Sequence, residues 1–223
     1  MKRLIVTGYN SNIATALFRL VGQRQQDGIE IIRCGRCKLA DVTFDFSELD
    51  DCRRFTSFVE ETAPDYLFLN HGLLVGDKLK DYSDHDITKA LHVNLVSVAM
   101  VLERLELIDN MRTVVMSSIS GKAGSYDTLY AATKAGVDIM LKSFAPRLPS
   151  GSRLNAISPG IIEDTRMTTV RTDLDVLAAT KQKTPTQAFC TSLEIAQLSY
   201  YLLFEAANLT GENLNVNGGL YVR

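Results

Sequence analysis

The chain has 223 residues, with 24 basic and 26 acidic side chains and a net charge of −2; its pI is near 5.9. That balance excludes a cationic footprint for nucleic acid or an anionic membrane surface, and 46% hydrophobic with 22% charged residues excludes general disorder. No apolar run approaches a membrane span. The start, MKRLIVTGYN, meets a glycine turn too early for a signal peptide, so a soluble, cytoplasmic protein is expected.

Leu4, Ile5 and Val6 form the first apolar strand. Ile13, Leu17, Leu20 and Val21 then recur at helical spacing,. Ile29, Ile31 and Ile32 give a second strand, and a helix around Cys52, Phe55, Phe58 and Val59 stops before Pro64,. Tyr66 to Leu69 is a buried strand, followed by a long helix marked by Ile87, Leu91, Leu95, Val98, Leu102 and Leu105. Val114 to Met116, a helix through Val137, Leu141, Phe144 and Leu148, a strand from Arg153 to Ile157, a helix from Leu193 to Phe204 and a strand from Asn213 to Val216 complete the series. Uniformly apolar strands alternating with helices predict a doubly wound parallel α/β sheet, the Rossmann fold, as one domain over 1–223. One connection is too short: seven residues separate Arg33 from Asp41, whereas a helical crossover takes about a dozen. The helix after the second strand is therefore expected to be missing or reduced, and the third strand abbreviated.

In such sheets ligands lie beyond the carboxyl ends of the strands. After the first strand, Thr7-Gly8-Tyr9-Asn10-Ser11-Asn12-Ile13-Ala14 leads into a helix. A glycine turn at a helix N-terminus offers backbone N–H groups to a phosphate. Asn12 stands where a second glycine is usual, a residue that tolerates left-handed backbone. After the second strand come Gly35 and Arg36. Without an acid there for a ribose 2′-hydroxyl, and with an arginine to face a 2′-phosphate, NADP(H) is expected over NAD(H). Asn70-His71-Gly72 follows Leu69; His71 has no Ser or Cys nucleophile beside it, so a structural or cofactor-wall role is expected. Ser117 and Ser118 precede a helix carrying Tyr130 and Lys134 at i and i+4, hence on one face,. A nearby ammonium is expected to lower the phenol's pKa for acid–base work. The four cysteines, Cys34, Cys37, Cys52 and Cys190, are expected as free thiols. The Cys34/Cys37 pair has no second ligand pair, so no metal is expected,.

Together these residues resemble the short-chain dehydrogenase/reductase family along the whole chain. The first turn is similar to TGxxxGxG, Leu69-Asn70-His71-Gly72 to NNAG, Ser118 to the catalytic serine and Tyr130 with Lys134 to YxxxK. Asn155 to Gly160 resembles the NxxxPG segment, and Leu209-Thr210-Gly211 with Asn217-Gly218-Gly219 the closing TGxxxxxDGG. The resemblance implies a hydride transfer between NADP(H) and a carbonyl or secondary alcohol. Tyr130 would be the acid or base, Lys134 its modulator and ribose ligand, Ser118 the substrate-oxygen ligand, and Asn94 a holder of a proton path to Lys134. It places Gly8, Asn10, Asn12, Ile13, Arg36, Asp45, Phe46, Asn70, His71, Gly72, Tyr130, Lys134, Pro159, Gly160 and Ile162 at the cofactor: Asp45 and Phe46 at adenine, the Ile162 backbone at the carboxamide. An enoyl-reducing subgroup carries its tyrosine seven residues before the lysine; that residue is Asp127 here, so enoyl reduction is not expected. The variable substrate segment, about 160–190, is polar and holds Arg166, Arg171, Lys181 and Lys183. A polar ketone is expected, such as a ketoacyl or keto-sugar substrate. The alternative is a non-catalytic dinucleotide sensor or partner-binding protein on the same fold. The family also implies a homodimer or homotetramer.

Overall fold

A computed structural model describes residues 1–24, 28–76 and 81–222; Arg223, the end of the expected domain, lies outside them. The elements in order are β1 (Lys2–Thr7), α1 (Asn12–Gln23), β2 (Ile29–Gly35), β3 (Val42–Thr43), α2 (Leu49–Thr62), β4 (Tyr66–Leu69), α3 (Asp84–Leu91) and α4 (Ser97–Arg104). There follow β5 (Arg112–Met116), α5 (Ser120–Ala123), α6 (Thr128–Phe144), β6 (Arg153–Pro159), α7 (Arg166–Thr169), α8 (Leu174–Lys183), α9 (Ser192–Tyr200) and β7 (Asn213–Val216). The strands pair in parallel in the order β3-β2-β1-β4-β5-β6-β7. The order reverses between β1 and β4, which opens the crevice at their carboxyl ends.

The continuous apolar strands serve two faces at once, because successive side chains point to opposite sides. Ile5, Leu67, Leu69, Val115 and Ala156 pack with Phe55, Val101, Leu102, Val137 and Leu141, from α2, α4 and α6. Their neighbours Leu4, Val6, Phe68, Val114 and Ile157 pack with Leu17, Val21, Ile195 and Tyr200, from α1 and α9. Each strand end is therefore fixed from above and below.

The short connection behaves as its length requires. From Arg36 to Asp41 the chain makes turns, with no helix, and β3 is two residues long. Asp41 closes the turn: its carboxylate accepts the Arg33 backbone N–H at 2.8 Å and the guanidinium at 2.7 Å.

Three helices depart from the periodic reading, the last because α9 gives way to a π turn over Tyr201–Glu205. The helix through Val137 stops at Phe144, and Ala145–Arg147 form a 3₁₀ turn around Pro146. Proline has no N–H to continue the ladder, so Leu148 lies beyond the helix. Between α3 and α4, His92–Val96 form a π turn. Such a turn accommodates one extra residue per coil and reorients a side chain; the side chain reoriented here is Asn94.

Candidate active site

The first turn needs its glycine. Gly8 has φ +60°, and a Cβ there would lie 3.1 Å from the Asn70 carbonyl oxygen. Ser11 caps α1 by accepting the Ala14 N–H, and its carbonyl is taken by Thr15. The N–H groups of Asn12 and Ile13 precede the first intrahelical acceptor, so they remain for an anion at the positive helix end. Asn70 fastens this turn to β4, its amide donating to Ser11 Oγ at 2.8 Å and to the Gly8 carbonyl at 3.1 Å. These donors and the close backbone approach fit a dinucleotide pyrophosphate. Asn10 lies exposed on the same turn. Asn12 differs from expectation: it is the first residue of α1, not a left-handed one. Its amide donates to the Asp164 carbonyl, tying the turn to the segment before α7.

Beyond the first turn, the π turn aims Asn94 at the irregular strip that follows β4. Asn94 is buried; its Oδ1 accepts the Leu73 N–H at 2.7 Å and its Nδ2 donates to the Leu73 carbonyl at 2.8 Å. Gly72 lies between Asn94 and Lys134: a Cβ there would stand 3.7 Å from Asn94 Oδ1 and 3.8 Å from Lys134 Nζ. Lys134 is buried and donates to the Met116 carbonyl at 2.7 Å. Burial pushes its ammonium down to about 8, opposed by Asp138. Its Nζ lies 5.7 Å from the Tyr130 ring centroid. Ser118, also buried, hydrogen-bonds the Tyr130 phenol. The structure thus brings Asn94, Ser118, Tyr130 and Lys134 to one crevice.

The phenol's titration departs from the sequence expectation. Burial pushes Tyr130 up to about 12, the Ser118 hydrogen bond lowers it, and the charge of Asp127 raises it. Lys134 is held by the Met116 carbonyl, so it does not bring the phenol down in the protein alone. At neutral pH the phenol is therefore protonated.

His71 is no base. Burial first, then the Lys134 charge, push it down to about 3, so the ring is neutral. Its Nδ1 lies 2.7 Å from Thr7 Oγ1 and its Nε2 2.8 Å from Ser97 Oγ. Ser97 Oγ donates to the Val93 carbonyl, so it must accept from the ring, which fixes the proton on Nε2. The ring stacks on Phe46 at 4.2 Å.

At the adenosine end, Arg36 is exposed and its guanidinium stands 3.9 Å from the Asp45 carboxylate. Asp45 also accepts from Ser47, and these contacts outweigh burial to hold its carboxyl below the usual range. The Phe46 side chain is buried against Phe55 and His71, so a contact with a ligand there would be through its backbone. On the far side, Pro159 ends β6. A Cβ on Gly160 would lie 3.1 Å from Asn217 Cβ, and Ile162 pairs with Cys190 in an isolated bridge.

The sequence assigned no role in the site to Ser97, Met116 or Tyr82, named Thr7 only as part of the first turn, and noted Asp127 only as the residue that stands in place of a tyrosine. Thr7 and Asp127 had a signal, one directly before the turn glycine, the other an acid just before a helix start. Backbone carbonyls such as that of Met116 leave no trace in residue type.

The family model described as enoyl-(acyl carrier protein) reductase matches residues 14–221. An acetoacetyl-CoA reductase of Synechocystis sp. is 31% identical over 97% of this chain and 95% of its own length. A 3-oxoacyl-(acyl-carrier-protein) reductase of Vibrio harveyi is 36% identical over 72% of this chain and 68% of its own. Among solved structures, a short-chain dehydrogenase/reductase described as glucose/ribitol dehydrogenase, from Brucella melitensis, superposes with a TM-score of 0.86 at 25% identity, covering 100% of this chain and 97% of its own.

Proposed function

The chain belongs to the short-chain dehydrogenase/reductase family and is an oxidoreductase acting on C=O and CH–OH groups; from that premise we propose that it reduces a polar 3-oxoacyl carbonyl, carried as a thioester, using NADPH. The observation that carries this reading is the convergence of Ser118, Tyr130, Lys134 and Asn94 on one crevice.

A nicotinamide dinucleotide bound along the carboxyl ends of the strands supplies the hydride. The first turn, from Gly8 through Asn10 to Ile13, with Asn70, takes the pyrophosphate. Pro159, Gly160 and the Ile162 backbone line the nicotinamide, and Arg36 with Asp45 meets the adenosine end. Ser118 holds the carbonyl oxygen, and Tyr130 gives it a proton as charge develops there. A high phenol pKa suits that direction, because the group stays protonated at neutral pH. Lys134 supplies positive charge beside the resulting phenolate, and Asn94 holds the Leu73 backbone that walls this path. Asp127 occupies the position where an enoyl-reducing subgroup has its tyrosine. Both its oxygens accept hydrogen bonds from neighbours that hold them in place, and it carries no phenol, which favours the ketone over the enoyl reading.

The reductase relatives and the polar segment before α9 support an anionic or thioester-linked substrate. A homodimer or homotetramer and a cytoplasmic location belong to the same proposal. Among the described residues no helix is long and apolar enough to cross a membrane. The test is a panel with NADPH: acetoacetyl-CoA, a keto-sugar and uncharged lipophilic ketones. Turnover of acetoacetyl-CoA at least tenfold above the lipophilic ketones is expected; activity on lipophilic ketones alone would overturn the substrate class.

A further inference from the structure

Asp127 precedes α6 and is buried to 1% exposure. Its Oδ1 accepts the Tyr130 N–H at 2.9 Å, capping the helix that carries Tyr130 and Lys134. Its Oδ2 accepts the Tyr82 hydroxyl at 2.5 Å. The same phenol oxygen lies 3.1 Å from the Gly76 N–H and 3.1 Å from the Gly76 carbonyl. A phenol has one proton, and a carboxylate at the shorter distance takes it. The contact with Gly76 is then the N–H donating to the phenol oxygen. Gly76 has to be glycine for this approach: a Cβ would meet the Tyr82 ring at 2.9 Å.

One phenol and one carboxylate therefore join two pieces of the crevice that are distant in sequence. The strip after β4 begins at Asn70, passes Gly72 beside Asn94 and Lys134, and ends at Gly76. The first turn of α6 begins at Asp127 and sets the direction of Tyr130.

We infer that Tyr82 and Asp127 are positioning residues for the reduction: they clasp the Asn70–Gly76 strip to the first turn of α6 and so fix where the Tyr130 hydroxyl meets the substrate. The clasp rests on the proposed reductase activity for its purpose, and on geometry alone for its existence. It also has an electrostatic consequence. Facing the Tyr130 phenol are Asp127 and Tyr126 from the turn before α6, Lys134 on α6 and the Ser118 hydroxyl after β5. Of these Asp127 brings a negative charge that holds the phenol in its protonated form. Reduction requires that proton, so the rate falls as pH rises through the phenol's pKa.

Backbone amide exchange and pH–rate profiles together test the clasp. In Tyr82→Phe the Gly76 amide should exchange at least tenfold faster, the Tyr130 amide should keep its protection, and kcat should fall on the order of tenfold through misplacement of the acid. Asp127→Ala should expose both amides. Asp127→Asn keeps a capping oxygen and should restore protection, yet its alkaline limb should move about half to one unit toward lower pH, because the charge is gone. Unchanged Gly76 exchange in Tyr82→Phe, or an unchanged alkaline limb in Asp127→Asn, would overturn the inference. If the wild-type chain reduces no carbonyl substrate, the functional proposal fails instead, and the exchange measurements still decide whether the clasp exists.

Discussion

The two ends of the crevice are built differently. At the catalytic end, Asn94, Lys134, Asp127 and His71 are all buried, and each is held by hydrogen bonds to buried neighbours or backbone. At the end proposed for adenosine, β2 passes to β3 through turns without a helix. Arg36 and Asp45 meet at 3.9 Å on a half-open surface, and Arg33 with Asp41 closes an exposed turn. Buried polar groups lose heavily when a partner is removed, by about 1–3 kcal/mol each, whereas exposed ion pairs contribute about 0–1 kcal/mol. The catalytic end is thus rigidly specified, and the adenosine end can vary without endangering the fold. The proposed function puts the chemistry in the first and cofactor choice in the second.

The largest break expected in this contrast comes from Tyr130→Phe. Removing the hydroxyl removes the proton donor, so kcat for carbonyl reduction should fall by about 10² to 10⁴, while dinucleotide affinity, read by fluorescence titration, stays near wild type. Turnover at the wild-type rate would place the acid elsewhere; no turnover in either protein would favour the sensor reading of the fold.

A smaller effect sharpens the same contrast through stability. His71 titrates at about 3 in the folded chain and near 6.5 unfolded. Between those values the unfolded chain binds the extra proton, so stability rises with pH there and is lost as pH falls from about 6.5 toward 3. In His71→Ala the slope of unfolding free energy against pH should lessen by up to about 1.4 kcal/mol per pH unit in that window, measured by urea unfolding. Equal slopes in both proteins would mean that the buried ring is not the acid-sensitive group.

Much of this architecture is legible in the residues. Apolar runs such as Tyr66 to Leu69 admit only a strand covered on both faces, and the seven-residue gap before Asp41 forbids a helical crossover whatever its composition. Tyr130 and Lys134 share a face because a helix repeats every 3.6 residues. What escaped the sequence depends on depth and on backbone atoms. The π turn around Asn94 replaces one hydrogen-bond pattern with another without a distinctive residue type. The pKa of Tyr130 is set mainly by burial, which spacing does not convey, so the sequence expectation had its direction reversed. Phe46 adjoins Asp45 in the chain, but the turn after β3 sends its ring into the core against Phe55. Tyr82 joins Asp127 across 45 positions, a pairing that exists only once the sheet has brought the strip after β4 beside α6.

The separation of chemistry from cofactor choice is tested most directly by kcat/KM for NADPH and for NADH, with acetoacetyl-CoA as substrate, in the wild type and in Arg36→Ala. The account predicts that the NADPH-to-NADH ratio falls about tenfold in the variant, the worth of one charged contact to a phosphate, while kcat stays within about twofold. An unchanged ratio, or a collapse of kcat for both cofactors, would contradict it.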